Sequence, residues 1–298
     1  MSLNLPNHYV ISYSSNIQLL LQEKGSKTRG LVTEGHYVGK QASPVDQIGS
    51  VEMTPVTGRF EPKGRTDAAT DRRWVFPSDF DLPQQIDTFD KLRLLTDPES
   101  VYVTNAVYAA GRKIDTVVIT AFLASAKTGV DGSTSTAFTA GNEVDVAVGG
   151  SNSKLNVAKL LEVKRKMRAN HVDFEMDEVY CLLTALDEEA LLNEIQIISS
   201  DFNGADMPVM KDGKIRRFLG INFVYCELTE SVATGTNEVN VPVWAKSGMH
   251  LGIWNDVETS ITRRYDLKGN PWEAYLYLTI GATRLEENKV YNIESYRA

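Results

Sequence analysis

The feature that most constrains this chain is the run from Asp97 to Ala126, DPESVYVTNAVYAAGRKIDTVVITAFLASA, which has no proline after its second residue. Asp97 suits a helix cap, and Pro98 suits the first helical position, where its missing N–H would be unpaired anyway. Glu99 then lies at the positive end of the helix dipole. Val103, Val107, Ala110, Ile114, Val117 and Ala121 recur at alternating steps of four and three, one stripe of a helix. Lys127, Thr128 and Gly129 follow as a basic last turn and a glycine stop. The spacing therefore predicts one helix over 97–126, about 45 Å long at 1.5 Å rise per residue, long enough to act as a spine. The β-branched runs VYVT and VVIT would also allow two strands turning at Gly111, but caps, stripe and stop agree on the helix. Within it, Gly111 is a candidate bend.

With 298 residues, 42% hydrophobic and 23% charged, the chain can bury two modest cores. Cys181 and Cys226 each sit in an apolar run, with no CxxC and no histidine nearby, and read as buried thiols of a reducing compartment. A net charge of −8 argues against a global preference for nucleic acid or an anionic membrane. No apolar stretch approaches the ~20 residues of a membrane-spanning helix, and MSLNLPNHYV has no export-signal pattern, so a soluble, unexported chain is expected.

Residues 1–40 read as an arm, with a short amphipathic helix and too little apolar surface to fold on itself. From Gln41 to Phe80, the strand-like runs VEMTPV and RRWVF bracket GRFEPKGRTDAATD, a polar hairpin tip. Connections this long are usually functional, disordered, or packed on another chain. An acidic stretch, Ser78 to Pro83, leads to a short helix in QQIDTFDKLRLLT. Beyond the spine, small residues surround a possible strand EVDVAV. A helix over 156–170 follows, with Val157, Leu160, Leu161, Val163 and Met167 inward. Next come a strand in EMDEVYCLLT, a short helix capped by Asp187, and a strand interrupted at Gly220. VPVWAKSGMHLGIW reads as a short strand pair. VETSITRRYDL and WEAYLYLTI read as two strands joined by a Lys268–Pro271 turn, with Trp272, Ala274, Leu276, Leu278 and Ile280 on one face suited to the spine helix. NKVYNIESY closes the chain as a strand.

Catalytic patterns are missing. His8, His36, His171 and His250 are isolated, and there is no GxSxG, no phosphate loop and no GxGxxG. No cofactor, metal or catalytic residue is expected, although a carboxylate pair assembled by the fold would escape a linear reading. Lys164, Arg165, Lys166 and Arg168 are the best basic cluster, but they lie on an outer helix face without interleaved aromatics and read as a solvated or subunit-contacting surface.

The order of arm, long hairpin, spine, middle α/β region and late β-hairpin resembles the major capsid protein of tailed bacteriophages, the Hong Kong 97 type of shell fold. VYCLLTALDEEALLNE before the Leu219-Gly220 step, the charged strand Ser260 to Tyr265, and Gly281-Ala282-Thr283-Arg284 before a final strand carry the likeness; Asn222 stands where the family often has proline. The resemblance implies an α+β fold with an N-terminal arm at 1–40 and an extended β-hairpin loop at 41–82. It places a peripheral domain at 83–151 and 251–284 with the spine helix, and an axial domain at 152–250 and 285–298. It implies a structural, non-enzymatic subunit that assembles into pentamers and hexamers of an icosahedral head, in the host cytoplasm, around double-stranded DNA. Arg59, Glu61, Lys63, Arg65, Asp67, Arg72, Arg73 and Trp74 are then the subunit-interface candidates. A separate scaffolding protein is implied, because the chain leaves no room for a fused one, together with a portal and decoration proteins. Some relatives crosslink a loop lysine to an asparagine; Lys63 is near the tip, but no asparagine answers it. Alternatives are an encapsulin-like nanocompartment shell, or an α/β enzyme with a carboxylate site.

Overall fold

In the computed structural model the described residues are 22–297, apart from 41, 57, 60–63, 87–98, 149–150, 195–209, 212–213 and 233–236. The strands are β1 (Thr33–His36), β2 (Ala42–Ile48), β3 (Thr70–Val75), β4 (Ser78–Ile86), β5 (Ala126–Thr128), β6 (Thr134–Thr136), β7 (Glu143–Val144) and β8 (Val179–Leu183). They continue as β9 (Met210–Lys211), β10 (Lys214–Ile215), β11 (Arg217–Phe218), β12 (Ile221–Tyr225), β13 (Glu238–Ala245), β14 (Met249–Arg263), β15 (Trp272–Arg284) and β16 (Val290–Tyr296). Among the described residues the α-helices are α1 (Glu99–Leu123), α2 (Val157–Ala169) and α3 (Ala185–Leu192). The chain divides into two units, one of 1–25, 79–112 and 257–278, the other of 26–78, 113–256 and 279–298, and α1, β14 and β15 run from one into the other.

The spine is real but shorter than expected. Asp97 and Pro98 lie outside the described residues, and α1 ends at Leu123 because Ala126–Thr128 pairs as β5 with β3 and β6. Gly129, expected as the helix stop, has a φ of 88° at the turn between β5 and β6. The buried line is Ala106, Ala110, Ile114, Val118 and Phe122, whereas Val107, expected inside, is 40% exposed. Steps of four residues advance 400° on a helix of 3.6 per turn, so the buried line drifts around the axis by about 40° per step as its partners change. Nor does Gly111 mark a break in the helix. It lies within continuous α1, where a Cβ would stand 2.5 Å from the Gly25 carbonyl carbon, so glycine makes room for the chain segment crossing there.

In the first unit, β15 shows the expected period of two. Ala274, Leu276 and Leu278 are buried while Tyr275 and Tyr277 are half-buried. Trp272 is itself half-buried, with the Arg263 guanidinium 4.6 Å from its ring. Val103 and Ala106 of α1 share one small gap of about 10 Å³ with Ala274 and Leu276, which places the helix on that face. The segment 84–86, expected to open a short helix, completes β4; the remainder of that stretch lies outside the described residues.

The second unit is built on a six-stranded sheet in the order β11-β12-β8-β13-β16-β7. Strand β8 is buried at all five positions, and Val157, Leu160, Val163 and Met167 of α2 pack in the same core as Val241, Val243, Tyr291 and Ile293. Leu161, expected inside, is 49% exposed, and Lys159 takes a fully buried place instead, giving its ammonium to the carbonyls of Ser153 at 2.6 Å and Glu294 at 2.8 Å. Asn156 caps α2 with its side chain. Thr184, not Asp187, caps α3; Asp187 is the reciprocal partner in a capping box. The step at Leu219-Gly220, with φ of 55° and 89°, is the two-residue turn of a β11–β12 hairpin and not an interruption within one strand. Conversely, the expected separate runs at MHLGIW and VETSITRR form one strand of 15 residues, β14. Cys181 and Cys226 are both buried and not joined in a disulfide, and burial pushes the Cys181 thiol well above its ordinary value.

Candidate subunit interface

The hairpin begins earlier than its sequence implied. Its first strand is Ala42–Ile48, paired with Thr70–Val75 so that Asp46 faces Arg72 and Val45 faces Arg73. Gly49 N–H donates to Ala69 O at 2.6 Å, and beyond that bond the expected strand VEMTPV is irregular and exposed. Val51, Met53 and Val56 are 59%, 101% and 86% exposed. Apolar side chains that extend into solvent from a long loop are the pattern of a surface meant to be covered.

Alternation along β3 gives the candidate residues different roles. Arg72 faces outward, pairs with Asp46 at 2.5 Å, and holds its guanidinium 5.7 Å from the Trp74 ring. Trp74 Nε1 donates to Gly129 O at 2.7 Å, tying the hairpin to the β5–β6 turn. Arg73 faces inward, 5% exposed, with Nε donating to Leu285 O at 3.1 Å and Nη2 3.6 Å from Glu287. The side-chain amide of Gln47 donates to the same Leu285 carbonyl. Arg65 and Asp67 pair at 2.9 Å in the exposed tip, where Arg59 is also exposed; Glu61 and Lys63 lie outside the described residues. Arg72, Arg73 and Trp74 therefore build the hairpin's root within its own chain, while Arg59, Arg65 and Asp67 belong to its tip.

Arg284 closes this root from below. It is fully buried, with Nη1 on the carbonyls of Phe122 at 2.6 Å and Ala124 at 2.5 Å, at the end of α1. Its Nε reaches Glu287 at 2.9 Å, and the Phe138 ring centroid is 5.2 Å away. A cation on the unpaired carbonyls of a helix C-terminus satisfies acceptors and dipole together. Burial pulls Arg284 below its ordinary value and Glu287 opposes that shift. In the Gly281-Ala282-Thr283-Arg284 pattern, Gly281 is as constrained, because a Cβ there would meet Phe76 O at 2.2 Å.

Two polar sites escaped the sequence reading. Asp115, fully buried in α1, accepts from Ser26 Oγ at 2.5 Å, from the N–H groups of Lys27 and Thr28, and from Thr28 Oγ1 at 2.6 Å. His250 holds β1 against β14. Thr33 Oγ1 gives its proton to Met249 O at 2.7 Å, so His250 Nδ1–H donates to Thr33, and Tyr37 OH donates to Nε2, each at 2.9 Å. Burial pushes this neutral ring down to about 4. The only signal for either in the sequence is a polar residue inside an apolar pattern. The basic cluster does acquire an aromatic partner: Lys164 and Arg168 lie 5.9 and 5.8 Å from the Phe174 ring.

A family model described as phage capsid protein matches residues 5–296. The chain belongs to the phage capsid protein family. Solved capsids share the fold across its whole length: that of cyanophage Pam1 superposes with a TM-score of 0.76 at 11% identity, covering 100% of this chain and 99% of that one. The capsid of cyanophage P-SCSP1u gives 0.70 at 15% identity, covering 97% and 93%. The capsid of a native GTA particle gives 0.66 at 11%, covering 100% of both. No curated protein matches the sequence. This chain is a phage capsid protein, a structural protein of the virion, and it has the expected α+β fold, shared with those solved capsids.

Proposed function

We propose that this subunit assembles in the host cytoplasm into pentamers and hexamers of an icosahedral head that encloses double-stranded DNA, with each hairpin laid over the adjacent copy. The observation that carries this reading is the contrast along the hairpin: a root pinned by Gln47, Arg73 and Trp74, and a tip whose Val51, Met53 and Val56 have no cover. A rooted strap with a bare apolar tip gains stability only from a neighbour, and many small repeated interfaces of this sort close a shell. Residues 41–82 act as the strap, 83–151 with 251–284 as the peripheral domain, and 152–250 with 285–298 as the axial domain. Arg59, Glu61, Lys63, Arg65 and Asp67 set its register on the neighbour through charge. A net charge of −8 suits a container that must release its DNA, with a separate scaffolding protein and a portal completing assembly.

Expression of the chain alone and with the scaffolding candidate encoded beside it, followed by electron microscopy, tests this reading. Rings of five and six copies and closed particles are expected. A dispersed monomer under every salt and scaffold condition would overturn it.

A further inference from the structure

Strand β1 covers the outer edge of β14 only from His250 to Ile253, and among the described residues no other strand lies on that side of the sheet β1-β14-β15-β4. Further along β14, Thr259, Ser260, Ile261, Thr262 and Arg263 are all exposed. The inner edge of this stretch is occupied: Arg264 N–H donates to Pro271 O at 2.9 Å, where the chain turns back into β15. Backbone direction alternates along a strand, so the N–H and C=O groups of Thr259, Ile261 and Arg263 point outward, away from β15. Charged side chains or proline usually blunt an open edge, and Thr259 to Thr262 contains neither.

A strand-like sequence without a partner strand lies elsewhere in the chain. Val51 to Val56 alternates as a strand does, yet all six residues are irregular and exposed. Two features fix how this strip lies on an edge. Pro55 has no N–H to give, so a ladder must run through Glu52, Thr54 and Val56, whose backbone groups point to the other side. Charge chooses the direction: an antiparallel strip brings Glu52 to Arg263 and carries Arg59 towards Glu258, whereas a parallel one sets Glu52 near Glu258.

We propose that residues 52–56 of a second copy add to β14 as an antiparallel edge strand, with Glu52 opposite Arg263, Thr54 opposite Ile261 and Val56 opposite Thr259. Thr54 and Val56 then share a face with Ile261 and Thr259, beside the small gap that those two line with Val103 and Ala106 of α1. Val56 and Ile261, 86% and 41% exposed in the single chain, gain cover together. The proposal rests on the capsid reading above and deepens it by naming the edge that receives the strap.

Cysteine crosslinking tests it. In this register Met53 lies directly opposite Thr262 as a non-hydrogen-bonded pair, where side chains of antiparallel strands come closest. Full-length Met53→Cys and Thr262→Cys chains are mixed, assembled, oxidised mildly and separated without reductant. A covalent dimer that forms only when both variants are present is expected. No dimer in closed particles, or a dimer from Thr262→Cys alone as two β14 edges pair with each other, would overturn the proposal while leaving the capsid reading intact. Failure of the unsubstituted chain to form any particle would overturn both. In parallel, Thr54→Pro removes a ladder donor from the strip at an exposed, irregular position. It should leave the circular dichroism of the free subunit unchanged and raise the concentration needed for assembly about tenfold. Unchanged assembly would count against the added strand.

Discussion

Asp115 sits where a sequence reader expects an apolar residue, in the middle of a long helix, and the fold gives it four donors from a segment almost ninety positions away, as the separation of 89 between Ser26 and Asp115 shows. Removing the carboxylate leaves buried backbone N–H groups unmatched, each of which costs about 1–3 kcal/mol. Asp115→Ala should therefore destabilise the free subunit by about 3 kcal/mol in a denaturant melt, and Asp115→Asn by less, since an amide oxygen still accepts. Lys159 makes a prediction in pH. Burial lowers its ammonium to about 8 from an ordinary 10.5. Between those values the unfolded chain keeps the proton and the folded chain sheds it, so this residue adds stability as pH rises from 8 to 10.5, on the order of 1 kcal/mol per pH unit. The stability difference between wild type and Lys159→Met, measured at pH 7.5 and 9.5, should grow in favour of wild type; a flat difference would refute the assignment.

Among the elements, α2 and β15 were legible because each buries one face locally, which writes a period into the sequence, and β8 because its five buried positions form a short continuous apolar run. The end of α1 was not, because it is decided by β5 pairing with Arg73 and Trp74 and by Arg284, whose bond to Phe122 O spans 162 positions. The hairpin was legible in kind but not in register, since VEMTPV alternates as a strand does while its partner strand ends at Thr70. Arg73 and Trp74 belonged to the expected interface set by composition, and their partners lie in the same chain because β3 alternates. Gly111→Ala tests the crossing of the helix by the arm. In an open helix this change stabilises by about 1 kcal/mol. Here the added methyl meets Gly25, so the melting temperature should fall. Strand β1 carries a pH prediction of its own. The His250 ring is neutral in the fold down to about 4 and titrates near 6.5 when unfolded, so stability from this group is lost as pH falls from 6.5 towards 4. Hydrogen exchange at residues 33–36 should accelerate over that window in the wild type, and His250→Gln should remove the pH dependence.

For the whole molecule, the separation between subunit stability and shell assembly is itself measurable. Met53 touches nothing in its own chain, being 101% exposed, so Met53→Asp should leave the melt of the free subunit within about 0.5 kcal/mol of wild type. Assembly should suffer strongly, seen as a higher concentration threshold in light scattering. Equal loss in both measurements would assign Met53 to the subunit's own fold. Strand β3 bonds to β5, and only two residues separate β5 from the end of α1. A force applied at the paired root of the hairpin thus passes from β3 to β5 and reaches the end of α1 within two residues, beside the carbonyls that Arg284 grips. Under the proposed strap reading, a pull on the hairpin root loads the longest described helix at its C-terminal end.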